Sequence, residues 1–310
     1  MKNGNLRKVL FVLCIGGCLV PRVGTVAALA GGIIFSLLLG NPWPKRSAVL
    51  SKYILQVSVV GLGFGLSLGE VLREGRDSIL FTVVGISATL FLGYLLGRLL
   101  KAGRNTSALI SFGTAICGGS AIAAMSPVLK AENDETAIAL ATVFTLNSVA
   151  LLIFPLLGHT LHLSQELFGT WAGLSIHDTS SVVGATSSYG SKALAVGTTV
   201  KLTRAAWIAP IVITTSWFKK SGQKAKIPIF IIFFILAAAL RTILPQFSGI
   251  WESLSAAARQ SLVVTLFLIG TGLGKDVLKN IGIRPLVLGV ALWVTVSTLS
   301  LSALLFYGPA

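Results

Sequence analysis

Long apolar runs separated by short polar joints organise this chain. The runs fall at 9–20, 23–40, 47–68, 78–97, 106–129, 134–157, 168–189, 193–218, 227–244, 255–274 and 285–307. An α-helix needs about 20 apolar residues to cross the hydrocarbon of a bilayer, and most of these runs are that long. The first is short for a full crossing. The joints carry the residues that end helices, as in Asn41-Pro42-Trp43-Pro44, Gly103-Arg104-Asn105 and the stretch 222–228. The pattern predicts an all-α membrane protein with about 10–11 transmembrane segments, forming a single polytopic membrane domain over 1–310. Two runs, 106–129 and 168–189, carry small polar residues in their middles. They predict two broken or re-entrant helices.

Composition agrees with a lipid-facing surface. Hydrophobic residues make up 54% of the chain and charged residues 11%, with a mean hydropathy of +0.86. A soluble domain carries about a quarter charged residues. The formal charge of +15 would suggest a nucleic-acid partner in a soluble protein. Here the basic residues sit in short clusters between apolar runs, and no aromatic-rich basic stretch is present, so nucleic acid is not expected. Cys14, Cys18 and Cys117 lie in apolar stretches and do not form a disulfide or zinc pattern. Lys2, Arg7 and Lys8 before an apolar run imitate a signal peptide, and Ile15-Gly16-Gly17-Cys18 loosely resembles a lipoprotein cleavage box. A first membrane helix is the expectation, because everything downstream is also membrane-embedded.

The placement of Lys and Arg sets an orientation. With a cytoplasmic N-terminus, the inside loops hold Lys2, Arg7, Lys8, Lys45, Arg46, Lys52, Arg98, Lys101, Arg104, Lys219, Lys220, Lys224, Lys226, Lys275, Lys279 and Arg284. These are 16 of the 25 basic residues. The expected location is the bacterial inner membrane, with the C-terminus external. Whether 106–129 and 168–189 cross or re-enter does not alter the side of any later loop. The two alternatives differ only in where residues 130–135 and 158–167 lie.

The two interrupted runs resemble each other. One reads Gly113-Thr-Ala-Ile116-Cys117-Gly-Gly-Ser120, the other Gly173-Leu-Ser-Ile176-His177-Asp-Thr-Ser180. Each is followed by a long apolar helix. With a three-residue gap, Val143 then matches Val200 and Asn147 matches Arg204. An inverted repeat is compatible with this pattern. Backbone groups freed by a break must be buried in protein or line a wet cavity. Paired broken segments in two halves point to a transporter binding site. The helix N-termini at Gly118, Gly119, Ser120 and at Thr179, Ser180, Ser181 suit an anion. Tight helix packing is the competing explanation for small residues, but it accounts less well for a His-Asp pair.

Charge inside the runs sharpens this. Of ten acidic residues, Asp178 alone lies deep in an apolar run, beside His177. An intramembrane acid marks function by default. His177 and Asp178 together suit a coupling proton or ion, and Asp178 is equally suited to cap a half-helix. Lys201 and Arg204 share one helix face, about 14 Å into their run for Lys201. They require an acidic partner, backbone carbonyls or an anionic substrate. Cys117 is expected to be a buried structural thiol, with a membrane enzyme using it as the last-ranked reading. Two glycine-rich span ends, from Gly61 to Gly69 and from Gly270 to Gly274, are expected to pack closely against the broken segments.

These residues carry a resemblance. The stretch Gly113-Thr-Ala-Ile-Cys-Gly-Gly-Ser-Ala-Ile-Ala-Ala124, then Gly169-Thr-Trp171-Ala-Gly173 through His177-Asp178 to Gly184, then Val200-Lys201-Leu-Thr-Arg204, resembles the YeiH-type sulfate exporter family of bacterial inner-membrane proteins. The resemblance extends over nearly the whole chain. It implies export of sulfate or a small sulfonate. The residues themselves point only to a secondary transporter of a small inorganic or organic anion. A sodium/proton-type antiporter using Asp178 is the alternative. Expected partners are the lipid bilayer, the anion and a coupling proton or sodium ion, with homo-oligomerisation open. No cofactor, metal or enzymatic activity is expected.

Overall fold

The computed structural model describes residues 2–20, 23–219, 229–272 and 282–307. The helices in chain order are α1 (Lys2–Gly17), α2 (Thr25–Leu39), α3 (Pro44–Gly63), α4 (Leu68–Leu99), α5 (Arg104–Ala115), α6 (Gly119–Leu129), α7 (Asn133–Thr160), α8 (Gln165–Ser175), α9 (Thr179–Tyr189), α10 (Ser191–Ala206), α11 (Ile208–Lys219), α12 (Ile229–Ile243), α13 (Ser248–Gly272) and α14 (Ile283–Tyr307). No strand occurs among the described residues. Among the described residues, five stretches are long and apolar enough to cross a bilayer: Leu68–Leu99, Asn133–Thr160, Ser191–Lys219, Pro245–Gly272 and Ile283–Tyr307. Large apolar side chains such as Leu80, Phe91, Ile213 and Phe233 point outward, as a lipid-facing surface requires. This is an all-α membrane protein. The stretch 222–228, the basic residues Arg22, Lys220, Lys224, Lys226, Lys275 and Lys279, and Gly274 lie outside the described residues.

The chain forms two compact units, Met1–Val71 with Ile229–Asp276, and Leu72–Pro228 with Val277–Ala310. In the first, α13 packs along α2 and α3, and α12 packs on α3. Gly32 and Gly270 let α2 and α13 touch backbone to backbone, since a Cβ on Gly270 would come 3.1 Å from Gly32 Cα. Phe11, Phe35 and Phe267 form an aromatic cluster beside them, with ring centroids 5.4–6.2 Å apart. The glycine-rich span ends therefore have other neighbours than the sequence suggested. Gly61 meets Ala258, Gly63 meets Phe234 and Gly65 meets Ser255. These glycines fasten the end of α3 to α12 and α13 within the first unit.

The second unit holds both interrupted runs, and both are re-entrant. Asn105 at the start of α5 donates to Glu135 at the start of α7, at 2.9 Å. Further along, Gly113 packs on Val143. Both pairs are 30 positions apart, so α5 and α7 run parallel. The helix between them, α6, must therefore return to the end where α5 began. The same reasoning holds downstream. The Gln165 side chain accepts from Lys192 N at 3.0 Å, and Gly173 packs on Val200. Both pairs are 27 positions apart, so α8 and α10 run parallel and α9 folds back. Tyr189, the last residue of α9, stacks on Phe168 and donates to Leu163 O at 2.6 Å. The first hairpin opens at the first turn of α7 and the second at its last. With 28 residues, α7 spans about 42 Å, so the two hairpins enter from opposite ends.

The helix that follows the second hairpin bends at Trp207, between α10 and α11. Pro210 has no N–H to donate to Ala206 O, which frees the bend. The kink lies one turn past Arg204 and close to the hairpin tips.

Opposed re-entrance makes a labelling prediction. In a background lacking Cys14, Cys18 and Cys117, Arg104→Cys and Asn133→Cys should react with an impermeant maleimide from the same side of the membrane. His162→Cys should react from the other side. Labelling of Arg104→Cys and Asn133→Cys from opposite sides would mean that the first run crosses.

Candidate functional site

The tips of the two hairpins meet. A Cβ on Gly118 would lie 3.4 Å from Asp178 Cβ and 3.5 Å from its Cα and N. The tip of the first hairpin is Ile116-Cys117-Gly118, and that of the second is Ile176-His177-Asp178. Gly118 has φ 64° and ψ −126°, a region open to glycine and costly for any other residue. This turn reverses the chain within three residues.

A helix that stops inside a membrane leaves its last carbonyls without partners, and each such group costs several kcal/mol in hydrocarbon. Here every carbonyl from Phe112 to Ile116 has a donor. Phe112 O accepts from Ile116 N at 3.1 Å and Gly113 O from Gly118 N at 2.9 Å. Arg204 supplies the next two, with Nε to Ala115 O at 2.6 Å and Nη2 to Thr114 O at 3.0 Å. Lys201 Nζ donates to Ile116 O at 3.2 Å and, across the seam, to Ile176 O at 2.6 Å. Two cations therefore cap the negative ends of α5 and α8 together. Lys201 is 0% exposed and Arg204 2%, and no ion pair among the described residues involves either. Of the three partners open to Lys201 and Arg204, the fold supplies carbonyls.

The bracing is reciprocal. Arg204, from the helix after the second hairpin, holds the first tip. Asn147, from the helix after the first hairpin, holds the second, with Oδ1 accepting from Asp178 N at 3.3 Å. These are the two positions that match in the repeat. Ile116 and Ile176, which also match, supply the two carbonyls that share Lys201. The sequence pointed to Asn147 only as a repeat position, and its match to Arg204 was the available signal for its role. The roles of the isoleucine carbonyls were hidden, because any side chain leaves a carbonyl in the same place.

The N-terminal ends of α6 and α9 differ. Asp178 caps α9, accepting from Ser180 N at 3.0 Å and from the Ser180 hydroxyl. The N-cap of α6 is Gly118, which offers no side-chain acceptor to Gly119 or Ser120, while the Cys117 thiol accepts from Ala121 N. Ser120 is exposed, and Gly119, Asp178, Thr179 and Ser180 are half-buried, while Ser181 is buried. The accessible face of the seam is thus polar, and the cations lie behind it. His177 is 1% exposed, and neither ring nitrogen has a hydrogen-bond partner; nor does Asn147 Nδ2. Cys117 is a buried free thiol. No group of three or more His, Cys, Asp or Glu that could hold a metal occurs among the described residues.

The arrangement defines a class: a multispan α-helical membrane protein with opposed re-entrant hairpins joined at their tips by buried cations. Residues 10–289 match the family described as Conserved hypothetical protein 698, and the chain belongs to that family. It is 63% identical to the UPF0324 membrane protein of Geobacter sulfurreducens over 304 residues, covering 98% of each chain. It is 48% identical to the UPF0324 membrane protein of Bdellovibrio bacteriovorus, over 98% of this chain and 96% of that one. The UPF0324 membrane protein of Bacteroides thetaiotaomicron is 50% identical, over 90% of this chain and 86% of its own. No solved structure matches the chain.

Two substitutions test the seam. Lys201→Met strands two buried carbonyls and should cost about 3 kcal/mol, read as a lower unfolding midpoint in detergent, with Lys201→Arg recovering part of the loss. An unchanged midpoint in Lys201→Met would remove the cap from this account. Gly118→Ala should cost about 1–3 kcal/mol through its backbone conformation alone, whereas Gly85→Ala, where a Cβ meets nothing within 4 Å, should cost nothing measurable.

Proposed function

We propose that this protein is a secondary transporter of a small anion, sulfate or a sulfonate, which binds at the hairpin seam. The observation that carries the reading is two buried cations near the single Asp178 carboxylate, with a helix N-terminus that has no N-cap side chain next to them. Lys201 and Arg204 outnumber Asp178, so the local field favours an anion. The cations act through that field, since their hydrogen bonds go to carbonyls. Direct donors are assigned to Gly119 and Ser120 at the start of α6, with Thr179 across the seam; Gly118 N is bonded to Gly113 O and Ser180 to Asp178, so Gly118, Ser180 and the buried Ser181 shape the pocket. The basic end of the unit, with Arg98, Lys101, Arg104 and Lys219, is assigned to the cytoplasm by the charge bias of the loops.

Asp178 supplies the coupling. An anion about 5 Å from an ionised carboxylate is opposed by roughly 3 kcal/mol at an effective dielectric of 20. Protonation of Asp178 removes that opposition, so proton and anion bind together, with His177 beside it as a second proton carrier. A divalent anion carried with one proton still bears negative charge. An inside-negative potential drives it outward, the direction of an exporter, and an inward pH gradient opposes it.

Radiolabelled sulfate counterflow in proteoliposomes tests this. Wild type should exchange sulfate faster as the pH falls. Asp178→Asn should exchange at a rate that no longer depends on pH. If Asp178→Asn instead abolishes a sodium or proton flux that needs no anion, the cation-antiporter reading replaces this one.

A further inference from the structure

A cavity at the basic end of the second unit reaches inward to Phe112, one turn short of the first hairpin's tip. Its volume is about 830 Å³, and it opens between the last turns of α4, the first turns of α5, the end of α6 and the end of α11. Four cations stand at its mouth: Arg98, Lys101, Arg104 and Lys219. No carboxylate among the described residues lines it, and the nearest one given, Glu135, is held by Asn105. Arg98 is held in place by Tyr94, donating from Nη1 to the phenol oxygen at 2.9 Å and lying 5.6 Å from the ring centroid.

The interior has the opposite character. Leu90 and Phe112 line it, with Leu129 nearer the mouth. Leu90 is eight residues from Arg98 on α4, and Phe112 is eight from Arg104 on α5, so the apolar wall extends about 12 Å inward from the rim. Three of the polar side chains along it are already engaged. Ser107 Oγ donates to Ala102 O and Ser111 Oγ to Ser107 O. Asn105 Nδ2 donates to Glu135. A small hydrated anion would find charge at the mouth and, deeper in, few donors besides the Thr215 hydroxyl. Water alone would number roughly 25 molecules at about 30 Å³ each, most of them against hydrocarbon.

We propose that this cavity binds an anionic phospholipid, its phosphate on the cationic rim and an acyl chain along Leu90, Phe112 and Leu129. Basic pockets between membrane helices take anionic headgroups by this combination of charge and depth. The seated chain touches α4 and the first hairpin together. These elements are already in close contact, since a Cβ on Gly97 would come 2.7 Å from Ser107. The lipid thus holds the hairpin against α4 one turn below its tip, and the inference stands apart from the transport reading.

The test uses the purified full chain in detergent, with the unfolding midpoint and lipid retention in native mass spectrometry as readouts. Phosphatidylglycerol or cardiolipin should raise the midpoint and stay bound. Phosphatidylcholine and millimolar inorganic phosphate should do neither. Arg98→Gln/Lys101→Gln should bind the anionic lipid roughly 30-fold more weakly. Ala108→Trp, which fills the cavity and leaves the rim charges in place, should also lose retention while binding no extra phosphate. A midpoint raised equally by inorganic phosphate would make this a free-anion site. Equal effects of phosphatidylcholine and phosphatidylglycerol, or retention in both variants as in wild type, would overturn the proposal.

Discussion

The ammonium of Lys201 sits between two carbonyls that belong to different hairpins. A lone buried cation costs several kcal/mol in lost hydration, and so does a helix that ends in hydrocarbon with open carbonyls. Each cost is met by the other. Lys201 and Arg204 have partners because α5 and α8 stop where they do, and α5 and α8 can stop there because the cations close their ends. The rest of the second unit is arranged around this exchange. Gly113 and Gly173 bring each hairpin against the long helix that follows it, and those helices deliver Asn147 and Arg204 to the opposite tip.

The scaffold is close to symmetric, and its chemistry is not. Ile116 and Ile176 play one role, as do Gly113 and Gly173. The position that holds Lys201 in the second half holds Phe144 in the first, where its ring packs on Gly119. The N-terminus of α9 is closed by Asp178, while that of α6 begins with a glycine and has no N-cap side chain. The fold thus concentrates its ionisable groups in the second half and leaves its open donors in the first. A binding site at the seam draws on both.

Much of this was legible in the sequence. The apolar runs located every described helix, and the repeat placed the breaks within two or three residues of the tips. Re-entrance was not legible from charge, because a hairpin that re-enters and one that crosses leave every later basic cluster on the same side. It needed the parallel packing of α5 on α7 and of α8 on α10, which only contacts reveal. Lys201 and Arg204 were visible as deep cations, yet a side-chain sequence says nothing about which carbonyls a break exposes. The glycines at 61–65 signalled close packing correctly and their partners incorrectly. A glycine records that something approaches, and the identity of the neighbour is a tertiary fact.

The central claim is that one buried cation joins two opposed tips. A cryo-electron microscopy map of the protein in a lipid nanodisc tests it most directly. The account predicts Lys201 Nζ within hydrogen-bond reach of both Ile116 O and Ile176 O, with Gly118 packed against Asp178. Tips that stand apart, or a Lys201 turned away from both carbonyls to pair with the Asp178 carboxylate, would contradict it.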